Sequence, residues 1–175
     1  MYFNAPQTSL TKRAFAHAEK LAMQYFRLSH EELAHWYDVK TLVYLEDHEV
    51  NERAFAHLCK YHYQKGQEAN NRDSFHFYRI CLQDNRILDA VERANSFIKL
   101  NPLMLYIATH ELVHVIRFEC GEGNFDAPRE EKEEEEKKVH GITRSMLQPL
   151  VYPDLTLVLD CFSNRYKIGD LFNDI

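Results

Sequence analysis

The sequence predicts an α+β fold: mainly helical, with one small antiparallel hairpin beside a buried helix. Two observations carry that reading. Most of the chain places apolar residues at three- and four-residue spacing, the period of a helix face. Only residues 75–91 crowd aromatic and β-branched residues into two short arms around a turn. With 175 residues, 45% of them apolar, the chain can bury one sizeable core. The expected division is an N-terminal helical region, 1–68, sharing or abutting a core region, 69–175.

From Ser9 to Leu28, Leu10, Phe15, Leu21, Ala22, Tyr25 and Phe26 follow helical spacing, with basic residues between them. Ser29-His30-Glu31-Glu32 then reads as a capping box opening a second helix, expected to run to about Leu45. A third helix is expected over Asn51 to Gln64. The run Arg13-Ala-Phe-Ala-His17 recurs as Arg53-Ala-Phe-Ala-His57, too short a repeat to indicate a solenoid. Residues 65–74 are polar and turn-rich, the best linker in the chain. In the hairpin at 75–91, Gln83-Asp84-Asn85 supplies the turn, since Asp and Asn tolerate positive φ. Beyond Pro149, Leu155–Phe162 reads as a short strand or helix, and Asn164–Asn173 as a helical tail.

The most informative helix is expected over residues 102–120. Asn101 offers a side-chain cap, Pro102 fits the first turn, and Gly121 can close the end in a left-handed conformation. The segment is apolar nearly all round, which implies burial, yet it contains His110-Glu111-Leu112-Val113-His114. Residues i and i+4 share one helix face, so two imidazoles can grip a single ion, and Glu111 sits where it can reach a water on that ion. The alternative is a pair of core histidines bonded to backbone. A buried helix makes three unpartnered ionisable groups costly, which favours the metal.

A catalytic zinc takes three protein ligands. Residues 129–138 are rich in acids and bases, mostly a solvated helix face. Val139, Ile142, Met146 and Leu150 mark its apolar side, and one turn earlier that side reaches Glu135 and Glu136. Either glutamate can supply the third ligand on this reading. His140, four residues after Glu136, falls beside it. The arrangement resembles the gluzincin branch of zincin metallopeptidases, and residues 75–150 are similar to the short ImmA/IrrE-like minigluzincins. Those carry a Glu-x-x-Ala-Asn helix that ends in a proline. The resemblance implies a zincin-like core and a Zn2+ cofactor. It implies Glu136 as the ligand beside His110 and His114, Val139 in the alanine place, His140 in the asparagine place, and Pro149 as the closing proline. His140 and Gln148 depart from the pattern.

The resemblance further implies a metallopeptidase-like hydrolase that attacks an amide bond with zinc-bound water, Glu111 being its general base. It places one arm of a hairpin along the cleft, where a peptide or protein substrate adds as an extra strand. Two other functions stay open. One is a non-enzymatic binding or regulatory module on the same scaffold. The other is a ferritin-like di-iron protein, because Glu111-x-x-His114 and Glu32-x-x-His35 both have Glu-x-x-His spacing.

Net charge is −6, but the acids concentrate at 130–136. No basic patch with interleaved aromatics appears, so nucleic acid is not an expected partner. No apolar run approaches the roughly 20 residues that span a bilayer, so no membrane partner is expected either. Cys59, Cys81, Cys120 and Cys161 lack Cys-x-x-Cys spacing and follow no leader. They are expected to be reduced, buried thiols of a cytoplasmic protein.

Overall fold

A computed structural model describes residues 1–64, 74–95 and 97–162. The fold is α+β, with six helices and one three-stranded mixed sheet among the described residues. In order these are α1 (Ala5–Phe26), α2 (His30–Trp36), β1 (Tyr37–Lys40), β2 (Ala56–Gln64), β3 (Ser74–Leu82), α3 (Asp84–Arg93), α4 (Leu100–Glu119), α5 (Arg129–Leu147) and α6 (Pro153–Cys161). Two 3-10 turns, Leu42–Tyr44 and Asp47–Glu49, lie between β1 and β2. The proposed linker at 65–74 lies largely outside the described residues, and the proposed tail at 164–173 lies wholly outside them.

The long periodic segments form as their patterns predict. Asn4 caps α1 by accepting from the Gln7 amide, while Gln7 reciprocates to Asn4. Its buried face is a small-residue ridge, Ala14, Ala18 and Ala22 beside Phe15, which lets α1 lie close along α4. The Ser29–Glu32 capping box is present at the start of α2. In α4 every residue from Pro102 to Ile116 is buried, as the all-round apolar pattern requires. Its cap is Lys99 rather than Asn101, so the helix starts earlier than expected, and Asn101 donates instead to the Tyr152 hydroxyl. Gly121 does adopt the left-handed conformation, at φ 71°.

Three expectations are overturned, all by the sheet. Its order is β1-β3-β2, with β1 parallel and β2 antiparallel to the central β3. Asn51–Gln64 is not a helix: Ala56–Gln64 pairs residue for residue with Ser74–Leu82. The second helix stops at Trp36, because Tyr37–Lys40 pairs with Tyr78–Cys81. There Asp38 stands in register with Arg79 and accepts its guanidinium at 2.8 Å. Residues 75–91 are not a hairpin either; the true one is β2–β3, and Gln83-Asp84 is where α3 begins. Buried Asp84 accepts from the amides of Phe3 and Leu42 at 2.9 and 3.0 Å, tying the N-terminus and the first 3-10 turn to that point.

β1 and β2, from the first 68 residues, thus complete a sheet with β3, and α1 packs on α4. The duplicated pentapeptide is helical at residues 13–17 but runs into β2 at residues 53–57, so no structural repeat accompanies it. Tyr78, Ile80 and Leu82 of β3 face the core, where Tyr78 meets Phe118 of α4. The 155–162 segment is helical up to Cys161, the end of α6, and Phe162 caps it. No helix among the described residues is long and apolar enough to cross a membrane.

Candidate metal centre

α4 carries His110, Glu111 and His114 into the interior, where all three are buried. α5 crosses in front of them. The Glu136 carboxylate receives both imidazoles: His110 Nε2 lies 3.3 Å from Oε2, and His114 Nε2 lies 3.0 Å from Oε1. One turn of helix therefore aims two nitrogens at the same half-exposed carboxylate on another helix. The Nδ1 atoms of both rings are buried without a hydrogen-bond partner. His140, one turn beyond Glu136, brings its Nε2 to 3.9 Å from Oε2. Donor atoms of His110, Glu136 and His140 all lie within 4.8 Å of one another, and His114 joins through the other carboxylate oxygen.

The neighbouring Glu135 does different work. It accepts Arg117 in a two-pronged ion pair, Nε to Oε1 at 2.6 Å and Nη2 to Oε2 at 3.1 Å. Both partners are buried, and Arg117 also reaches the Glu122 carboxylate at 2.7 Å. Gly123 packs so tightly here that a Cβ would stand 2.7 Å from Glu135 Oε1. Sequence phase left the two glutamates equivalent; the structure turns Glu136 to the histidines and Glu135 to Arg117.

Burial and the shared carboxylate set the charges. Burial drives His110 down to about 4 despite Glu136. For His114 burial pushes the same way, but the hydrogen bond to Glu136 and the charges of Glu136, Glu111 and Glu135 together outweigh it and the pKa rises. Burial would raise Glu136, yet the two imidazoles hold it well below the usual carboxylate range. Glu111 has no such support. Burial lifts its carboxyl to about 7, with His114 opposing and Glu136 adding to the rise.

Tyr106 is a site residue that sequence reasoning missed. It lies one turn before His110 on α4, is buried, and its hydroxyl hydrogen-bonds His140 Nδ1. Phe162 stacks on its ring at 4.3 Å. The available signal was the four-residue step from Tyr106 to His110, which puts them on one face.

The site opens into a cleft between α4–α5 and β2. A cavity of about 160 Å³ is bordered by Ala54, Ala56, Tyr106, His110, Glu111 and Glu136. A larger one, about 470 Å³, continues past Leu58 on one wall and past Glu111, His114 and Phe125 on the other. β2 forms the edge of the sheet, pairing only with β3 among the described residues. The second Glu-x-x-His pair is engaged within its own helix: Glu32 caps α2 through Ser29, and the His35 ring bonds the Glu31 carbonyl. No family model, curated protein or solved structure matches the chain.

Proposed function

We propose that the chain is a zinc-dependent hydrolase of peptide bonds, built on a zincin-like scaffold of the minigluzincin kind. The observation that carries this reading is the meeting of His110 Nε2 and His114 Nε2 on one carboxylate of a second helix, Glu136. Two imidazoles and a carboxylate are a donor set that zinc takes in hydrolases. The fit is also energetic, because two imidazoles and the Glu111 carboxyl are buried together on an apolar helix, a cost that a cation held there would offset. Zinc held there lowers the pKa of a water ligand toward ~7 and polarises a carbonyl oxygen.

The chain's own residues supply the rest. Glu111 borders both cavities, and no described side chain forms a hydrogen bond or ion pair with its carboxylate. Beside a bound cation its carboxyl would be ionised, so it can accept a proton from the attacking water and return it to the leaving amine. His140, oriented by Tyr106, acts as a positioning residue for Glu136. The exposed edge of β2 can accept an extended peptide as a further strand, which would run past Glu111. Four free cysteines, two of them in contact, suit a cytoplasmic setting.

Glu111→Gln tests the assignment. Against a peptide library, the zinc-loaded variant should keep its metal and lose cleavage by roughly 10²–10⁴-fold. Cleavage at the wild-type rate would remove Glu111 from the mechanism.

A further inference from the structure

A second donor cluster sits on β2 and β3. Alternation along β2 puts His57 and Cys59 on the same face of the sheet. Antiparallel register then sets Cys81 of β3 directly across from His57. Cys59 Sγ lies 3.4 Å from His57 Nε2 and 3.8 Å from Cys81 Sγ. All three donor atoms fall within 4.8 Å of one another. Cys81 is buried, whereas His57 and Cys59 are half-buried, so an ion has a way in from the surface.

Those separations discriminate between the uses two thiols can have. A disulfide needs its sulfurs about 2.05 Å apart, and both cysteines are free. Around a tetrahedral zinc, with metal–sulfur bonds of about 2.3 Å and metal–nitrogen bonds of about 2.05 Å, the sulfur–sulfur edge is about 3.8 Å. The sulfur–nitrogen edge is about 3.6 Å. The two contacts to Cys59 match those edges within about 0.2 Å, before any ligand moves. Two sulfurs and one imidazole are a donor set that zinc takes, with a fourth position left for water or another ligand.

We propose that His57, Cys59 and Cys81 form a second zinc site, separate from the cluster on α4 and α5. Binding displaces the two thiol protons to solvent and ties β2 to β3 beside Ala56 and Leu58, the residues that border the cleft. The ion there fixes the edge strand.

Cobalt(II) reads this site without interference, because only a sulfur-ligated ion gives the thiolate-to-cobalt charge-transfer band. The reduced chain should show that band with an intensity of one sulfur-ligated cobalt per chain, and added zinc should bleach it. His110→Ala should leave it intact, so loss of the α4–α5 site cannot be mistaken for loss of this one. Cys59→Ser should abolish it. Cys81→Ser should do the same wherever that buried position still folds by circular dichroism; Cys59→Ser, at a half-buried position, decides otherwise. No band in the wild type, or a band that survives Cys59→Ser, overturns the site. A band that zinc cannot bleach overturns the choice of metal.

Discussion

Glu135 and Glu136 are adjacent and chemically identical, yet their surroundings give them different consequences. Removing Glu135 takes away the two-pronged partner of the buried Arg117 guanidinium and leaves it only Glu122, so the cost stays below the roughly 3–5 kcal/mol of a buried charge left with no partner. Glu135→Ala should therefore lower the denaturation midpoint markedly while zinc binding persists in the folded fraction. Glu111 illustrates the opposite balance. Its folded pKa of about 7 lies above the ordinary carboxylate value, so the unfolded chain loses this proton first as pH rises. Stability falls between those two values, and the loss is complete above the folded one. Metal-free Glu111→Gln should be more stable than the wild type at pH 8, with the difference vanishing toward pH 4, by urea denaturation. A wild type that is equally stable throughout would mean that Glu111 is not strained by burial.

Helices and strands differed in how far the sequence betrayed them. α4 and α5 were legible because a helix face is written locally, in three- and four-residue steps, and because Gly121 marks an end. β2 was not, because both of its faces carry apolar or aromatic groups. Ala56 and Leu58 point inward while Cys59 and Tyr61 point outward, and Tyr61 stacks on Phe77. With no clean alternation, only the distant β3 decides its state. Asp84 misled for a related reason: its carboxylate serves Phe3 and Leu42, far away in sequence, and not a turn. Within α5, Gly141 is exposed and a Cβ there would meet nothing within 4 Å. Gly141→Ala should thus stabilise the chain by about 1 kcal/mol, through the entropy that a mid-helix glycine loses. Gly123→Ala should destabilise it, because the added methyl would press on Glu135. Thermal midpoints of the two variants should move in opposite directions.

At the scale of the molecule, one polar network holds the sheet's outer face to the second 3-10 turn. Glu49, fully buried, accepts from Tyr61 at 2.6 Å and from Arg79 at 2.9 Å, and Arg79 also holds Asp38 of β1. Burial would raise Glu49, but hydrogen bonds from Tyr61, the Glu46 amide and Arg79 together bring it to about 2. Its folded pKa is depressed, so its contribution is fully present above the unfolded value near 4.5 and is lost as pH falls through 2. A shift of that size is worth about 3 kcal/mol. The stability gap between wild type and Glu49→Gln should therefore narrow steadily from pH 5 to pH 2, and a gap unchanged across that range would contradict the network. This frame matters for the site, because β2 is the cleft's far wall and α4 its floor. The motif on α4 was readable from five residues. The wall opposite it needed the whole fold.

The central claim is that His110, His114 and Glu136 hold one zinc. Zinc per folded chain decides it, measured in a Cys59→Ser background so that ions on β2 and β3 are not counted. One zinc is expected in that background, one after adding Glu135→Ala, and none after adding Glu136→Ala. Stoichiometric zinc retained by the Glu136→Ala protein would contradict it.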